Sequence, residues 1–515
     1  MPRSYPTANR VILIAPPVVK PCEPPAGIAR LSACLRAHHI PTTSIDANLE
    51  GLLYFLHQLP STELPTDQWT RRAAKRAPGH LENLRMPELY KNIARYKQAV
   101  ADIQRLLNQK SAPYRSILSL GDFHQRDRSP LSSRNLLRSF ETPAQSPFYQ
   151  YFKHRLARQI EDFQPTWIGV SINFISQAIC AFHLLGFAAQ RWPRIKRVIG
   201  GALITSWMRQ ANRPPDFSGM VDAAITGPGE QPLLKLLNQP AAAAPYAPDY
   251  QNAMRLPYLA PGFILPFSAA EGCYWRRCRF CPERAEQGPY RPVDSQSVFK
   301  YLSRESAHTQ PVLIHFLDNA MRPSLLQLLA RRRLPKPWYG FARVSRQLAD
   351  PDFCRALRRA GCVMLKLGIE SGDQAVLDAM EKGATVDMAA RVLKSLAAAD
   401  IATFVYLLFG TPAETEKRAL KTLDFTVANH SYINFINIAV FNMPVQSPDR
   451  HRLRTMPFFE GDLSLYTNFE HPAGWPRGRV RQFLDKKFKR HPAVAAILKN
   501  VPPVFGSNHA AFFKL

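Results

Sequence analysis

The sequence predicts an α/β chain in which a doubly wound, Rossmann-like domain is followed by a partial (β/α)6 TIM barrel and a small C-terminal extension. Three observations predict it. Short apolar runs alternate with amphipathic stretches from residue 11 to about 230, the pattern of a parallel sheet wrapped by helices. A second alternating series of six apolar runs begins near residue 263. Between them QPAAAAPYAPDYQNAMRLPYLAPG (239–262) is rich in Pro and Ala without an apolar period, which marks a linker. The expected boundaries are 1–240, a linker over 241–262, a barrel over 263–440 and an extension over 441–515. A chain of 515 residues is long enough for two or three cores.

The first series opens with the strand VILIA (11–15), a Pro-rich loop and the helical stretch AGIARLSACLRAHH, and continues into a strand at TTSIDAN. A long, Arg-rich and mostly helical insertion follows, over about 50–150. Alternation resumes with WIGVSINF (167–174), RVIGGALI (197–204) and AAITGPGE (223–230). Ligands of such sheets sit beyond the carboxyl ends of the strands, where this sequence places Pro16, Pro17, Asp46, Ser171, Gly200, Gly201, Gly227 and Gly229. Glycines there admit close backbone approach, and tight turns alone also account for them.

In the second series ILPFSAA, VLIHFLD, WYGFA, CVMLKLGIE, IATFVYLLFG and YINFINIAVF are the candidate strands. Runs such as SLLQLLARRR, DFCRALRRAG and MAARVLKSLAAA separate them as helices. Beyond residue 441 the alternation gives way to Pro, Tyr and Phe-rich sequence and a basic helix, and VPPVFGSNHAAFFKL is apolar enough to pack back on the body.

With 46% hydrophobic and 21% charged residues, the composition is that of a globular protein rather than a disordered one. No run approaches the roughly 18 apolar residues of a membrane span. The amino-terminal apolar run is shorter than a secretory core, so a cytoplasmic protein is expected. The net charge of +28 suits nucleic acid, anionic lipid or an acidic protein. Its local clusters, RRAAKR (71–76) and KKFKR (486–490), read as solvated helix faces.

Eight cysteines are too sparse for a disulfide scaffold. Five of them, Cys22, Cys34, Cys180, Cys354 and Cys362, are scattered and read as buried thiols. The other three crowd into EGCYWRRCRFC (271–281), just past the first strand of the second series, with four residues between Cys273 and Cys278 and two between Cys278 and Cys281. Three thiolates on one loop converge on a metal centre, and soft sulfur selects zinc, copper or iron–sulfur. A closed zinc site needs a fourth Cys or His at short spacing, and none follows Cys281. An iron–sulfur cluster with one open iron fits better, and unrelated thiols are the remaining reading.

GCYWRRCRFC followed by barrel-like repeats resembles the radical S-adenosylmethionine (radical SAM) superfamily. That resemblance implies a 4Fe-4S cluster on Cys273, Cys278 and Cys281 whose open iron binds S-adenosylmethionine and cleaves it reductively to a 5'-deoxyadenosyl radical. The usual spacing is three residues, then two; the four-residue first spacer here resembles a subset that carries GCYW before the second cysteine. Asp318 in FLDN falls where the family places an acid on the cofactor's amino group. Glu370 and Ser371 in LGIESG match the position that contacts the ribose. Gly410 lies in FGTPAET, similar to the family's segment near adenine and methionine; Phe280, just before the last cysteine, reads either as a shield of the cluster or as a core residue. Alone each is weak, since an acid at a strand end also caps or meets solvent. Arg343 and Tyr406 lie near strand ends as well.

The first domain resembles the cobalamin-binding domain that precedes the barrel in B12-dependent radical SAM proteins. The matching pieces are VILIAPP, PPAGIARLSACL, SIDAN, GVSINFISQ, VIGGA and VDAAITGPGE. The resemblance implies Ser171, Gly200 and Gly201 along the cofactor's nucleotide tail, with Gly227 and Glu230 at the rim facing the barrel. No Asp-x-His-x-x-Gly motif follows the first strand, so base-off cobalamin without a protein histidine is implied. A doubly wound domain that binds no corrin is the alternative.

The expected activity is cobalamin-dependent methylation of an unactivated carbon of a small molecule, lipid or peptide, with a flavodoxin- or ferredoxin-like electron donor. Radical rearrangement, cyclisation or oxidation without methyl transfer is the alternative. RNA modification is a lesser one, since no RNA-binding motif accompanies the charge.

Overall fold

The computed structural model describes residues 9–58, 67–210, 214–241, 247–458 and 461–515. They group into two compact units: residues 1–86, 94–261 and 459–464, and residues 87–93, 262–458 and 465–515.

The first unit is built on five parallel strands, β1 (Val11–Ala15), β2 (Thr42–Asp46), β3 (Trp167–Ser171), β4 (Lys196–Gly200) and β5 (Ala223–Ala224), in the order β2-β1-β3-β4-β5. This is a doubly wound order, and the chain changes direction across the sheet between β1 and β3. The strands form where the alternation predicts them. The last is only two residues long, because Thr226, Gly227, Pro228 and Gly229 of AAITGPGE make a turn instead of prolonging it.

One face of the sheet buries Val11, Leu13, Ala15 and Val198 against Ile28, Cys34 and Leu35 of the helix Ala26–Ala37, and Leu233 and Leu234 of Glu230–Leu236. The helix Ile175–Arg191 is buried almost all round from Gln177 to Ala188. It packs against Ser133–Glu141, a helix of the long insertion, and against Phe123–Gln125. That insertion is mostly helical, as expected, with Gln68–Asn83 and Ile93–Ser111. It also holds a three-residue hairpin, Ser116–Leu118 with Phe123–Gln125, too short to stand out as alternation.

Residues 247–261 lie along this unit: Tyr250, Tyr258 and Leu259 are buried, and the Tyr258 hydroxyl donates to Asp46 at 2.8 Å. Residues 242–246 of the Pro/Ala stretch, like residues 1–8, are outside the described set.

The second unit holds six parallel strands in sequential order: β6 (Ile264–Phe267), β7 (Leu313–Phe316), β8 (Trp338–Ala342), β9 (Cys362–Glu370), β10 (Ala402–Phe409) and β11 (Phe435–Val440). Each of the six expected runs supplies one strand, and sequential parallel order with intervening helices is the (β/α)6 arrangement. The Trp338 indole donates to the Ala360 carbonyl at the end of helix Pro351–Arg359, so Trp338 and its neighbour Phe316 face the helices. His315, Tyr339, Phe341, Lys366 and Tyr406 therefore face the opposite, concave side.

The C-terminal segment packs on that side. The Tyr339 hydroxyl donates to the Asn508 carbonyl at 3.4 Å, and His509 stacks on Phe505 with centroids 4.3 Å apart. Both basic runs are solvated helix faces: Arg71, Arg72, Lys75 and Arg76 are exposed around buried Ala73, and Lys486, Lys487, Lys489 and Arg490 around buried Phe488. Among the described residues no helix is long and apolar enough to cross a membrane.

Candidate active site

The cysteine loop leaves the carboxyl end of β6. Ala270–Glu271 pairs antiparallel with Arg291–Pro292, which closes the base of a loop holding all three cysteines. The Cys281 amide donates to the Cys278 carbonyl at 3.2 Å, and Cys281 then sits at the start of the short helix Pro282–Ala285. Cys278 is buried while Cys273 and Cys281 are half-buried, and all three are free thiols. Burial, with smaller contributions from nearby Cys278 and Cys273, pushes the Cys281 thiol up to about 11.

Thiols in such mutual reach suit a centre whose positive charge holds them as thiolates. Among the described residues no three His, Cys, Asp or Glu side chains gather as ligands of one ion. A cubane differs in giving each cysteine its own iron, and the donor set here fits that group.

The loop is clamped to the turn after helix Gln374–Ala379. The Arg279 amide donates to the Met380 carbonyl at 2.9 Å, and Arg284 pairs with Glu381 at 2.8 Å. The Trp275 indole donates to the Glu381 carbonyl at 3.2 Å and lies flat against Gly383, where a Cβ would stand 2.1 Å from the ring. Gly383 also has φ +69°, so both space and backbone require glycine. Arg343, one residue past β8, stacks over Trp275 at 4.2 Å and directs Nη1 to Cys278 Sγ at 3.6 Å.

The remaining strand ends bring further groups to the same edge. Asp318, two residues past β7, accepts from the Ala269 amide at 2.9 Å, and burial pushes its carboxyl up to about 6. Glu370 closes β9 at φ +67° and pairs with Lys382 at 2.7 Å, while the Lys382 ammonium lies 5.4 Å from the Phe280 ring. The Ser371 hydroxyl is engaged inward, with Thr422 at 3.1 Å and the Asp373 amide at 3.1 Å.

After β10, the Gly410 amide donates to Glu414, which also accepts from the Trp475 indole. The Glu414 side chain is fully buried, and its Oε1 and the Thr411 Oγ1 lack a protein partner. Burial pushes Glu414 up to about 7. A cavity of about 390 Å³ lies between the two loops, lined by Phe280, Met380, Thr411, Pro412, Phe441 and Arg452. Its lining also includes the Arg279–Asp449 ion pair, so apolar walls are joined by charges of both signs.

In the first unit the carboxyl edge carries Ser171, Gly200, Gly201, Gly227 and Glu230. The Asn173 amide donates to the Ser171 hydroxyl at 3.1 Å. Gly201 has φ +105°, and a Cβ there would lie 2.5 Å from the Ile172 carbonyl oxygen, so the β4 turn admits only glycine. The Gly227 amide donates to Thr205 at 2.9 Å. The Glu230 carboxylate is paired with Arg30. Asp46, at the end of β2, caps the following helix through the Leu49 amide and is pushed up to about 6 by burial.

Residues 268–426 match the family model described as the radical SAM superfamily. These residues form a radical SAM domain. The cofactors of such a domain are a 4Fe-4S cluster and S-adenosylmethionine. The chain is 26% identical over 223 residues to the bacteriochlorophyllide d C-12(1)-methyltransferase of Chlorobaculum tepidum, covering 41% of this chain and 46% of that protein.

Its fold resembles the cobalamin-dependent S-adenosylmethionine radical enzyme OxsB with aqua-cobalamin bound, at TM-score 0.57 and 13% identity, over 90% of this chain and 64% of the other. It also resembles the radical S-adenosylmethionine methyltransferase TsrM from Kitasatospora setae with tryptophan and a SAM analogue bound, at TM-score 0.52 and 15% identity, over 86% and 75%. The chain thus spans less than two thirds of the curated relative and of OxsB.

The radical SAM domain holds groups that motif reading passed over. Lys382 carries no spacing signal, and Glu414 was signalled only as part of FGTPAET. Lys366, 2.8 Å from His315 and facing the Tyr339 and Phe341 rings, was signalled only by a charged residue inside the apolar run CVMLKLGIE.

Proposed function

We propose that this chain cleaves S-adenosylmethionine reductively at a 4Fe-4S cluster and uses the resulting radical for cobalamin-dependent methylation of an unactivated carbon. The observation that carries the reading is the three-thiol loop at the carboxyl end of the first strand of a sequential six-stranded parallel sheet, within a radical SAM domain. When bound, the cluster and S-adenosylmethionine supply the electron and the radical, and cobalamin carries the methyl group.

The chain's own residues bind and orient. Cys273, Cys278 and Cys281 hold the cluster, and Phe280 covers it. Asp318 accepts from the cofactor's ammonium, Glu370 stands at the ribose with Ser371 bracing the turn from inside rather than touching it, and the Gly410 turn borders the cavity beside Phe280. Ser171, Gly200, Gly201, Gly227 and Glu230 line the corrin site at the carboxyl edge of the doubly wound sheet, the place such sheets bind ligands.

Two likenesses support methyl transfer and cobalamin. The curated relative is named a methyltransferase, and OxsB binds aqua-cobalamin. Eight free cysteines suit the reducing cytoplasm, with a flavodoxin- or ferredoxin-like donor supplying the electron.

The test is anaerobic. Cluster-loaded protein with S-adenosylmethionine and reductant is expected to release 5'-deoxyadenosine, to retain cobalamin by spectrum and corrin analysis, and to lose cleavage in Cys278→Ala. Equal behaviour of the loaded wild type and that variant overturns the reading. Cleavage without corrin retention redirects it to rearrangement, cyclisation or oxidation, and tight salt-dependent RNA binding redirects it to RNA modification.

A further inference from the structure

We infer that Arg343 is a positioning residue that also sets the reduction potential of the cluster, an inference resting on the proposal that Cys273, Cys278 and Cys281 bind one. Its guanidinium is fixed on three sides. One nitrogen donates to Cys278 Sγ at 3.6 Å, the other donates to the Lys382 carbonyl, and its Cζ lies 4.2 Å from the centre of the Trp275 ring, over its face. Trp275 is itself held by the Glu381 carbonyl and by contact with Gly383. A planar fork with two separated donors and a stacking face meets all three demands, and a lysine ammonium meets one of them.

The consequence is electrostatic. Of the three cysteines, Cys278 is the buried one, so water screens the cation beside it least. Reduction adds one electron, supplied by an external one-electron donor, and no bond to protein forms or breaks. The thiolate-ligated centre becomes more negative by one charge, and a fixed cation donating to a ligand sulfur stabilises that state. Hydrogen bonds to the sulfurs are a recognised determinant of cluster potential. Arg343 thus raises the potential and eases electron entry, while holding Cys278 in register with the 380–383 turn.

The experiment compares anaerobically reconstituted full-length wild type, Arg343→Gln and Arg343→Lys. It measures iron and sulfide per chain, the electron paramagnetic resonance signal of the dithionite-reduced cluster, and the midpoint potential by titration without substrate. Arg343→Gln is expected to weaken the electron affinity at least tenfold, a fall of about 59 mV for a one-electron couple. Arg343→Lys, keeping the charge without the fork, is expected to fall by less.

A wild-type potential in a loaded Arg343→Gln overturns the inference, and if only Arg343→Lys loads, a potential equal to wild type does the same. Failure of both variants to load, with unchanged circular dichroism, also overturns the tuning role and leaves Arg343 a scaffold. Failure of the wild type to load overturns the cluster assignment instead, which separates the two.

Discussion

Replacing Lys382 by methionine tests how the edge of the second sheet is held together. Lys382 Nζ stands 2.7 Å from Glu370 Oε1, and the two side chains are only 7% and 11% exposed. At an effective dielectric constant of about 20, the Coulomb attraction at that distance is about 6 kcal/mol, most of it offset by the cost of removing both charges from water. The pair itself therefore adds little. Removing the lysine alone leaves a buried carboxylate at a strained strand end, for which about 3–5 kcal/mol is expected. With a urea slope of about 2 kcal/mol per molar, the midpoint should fall by about 2 M. Glu370→Gln added to Lys382→Met removes the stranded charge and should restore most of the loss. Urea titrations of the four proteins by far-ultraviolet circular dichroism, following the transition that shifts, supply the cycle. The reasoning fails if Lys382→Met unfolds at the wild-type midpoint, or if the double variant is less stable than Lys382→Met.

Cys278→Ala should bind far less iron and sulfide under anaerobic reconstitution, with its circular dichroism unchanged; full loading would remove that thiol from the ligand set. Glu414, raised from 4.5 to about 7, contributes stability that is fully present below pH 4.5 and is lost as the pH rises through 7. At 1.36 kcal/mol per pH unit this span amounts to about 3 kcal/mol, so Glu414→Gln should flatten the decline in thermal midpoint between pH 4.5 and 7. Asp46 and Asp318, both pushed up to about 6, retain their own share of the same sign, and an unchanged slope in the variant would contradict the assignment. Gly383→Ala should displace Trp275, visible as a red-shifted tryptophan emission and a faster proteolytic cut in the cysteine loop, whereas wild-type emission and cleavage would show that the indole does not rest there.

Fold class, strand positions and the three-cysteine loop were legible in the sequence because each depends on local pattern. Apolar runs of about four to eight residues bounded by turn residues and rich in Val, Ile and aromatics read as buried strands, and three cysteines within nine positions cannot spread far apart. The Asp-Pro-Gly-rich strand ends were legible for the same reason. Segment 247–261 was not, since its Pro and Ala content describes a linker equally well whether or not Tyr250, Tyr258 and Leu259 find a surface to cover.

What the cysteine loop touches was decided by tertiary structure alone. Arg343, Lys382 and Gly383 lie 62 to 110 residues from Cys281 or Cys273 in the chain; a strand end marked Arg343, but nothing local couples any of the three to the cysteines. Their roles arise because parallel strands taken in order deliver their carboxyl ends to one edge, where groups remote in sequence share a few ångströms. Composition and periodicity report which residues prefer burial, whereas a particular guanidinium meeting a particular sulfur depends on register, and register belongs to the folded sheet.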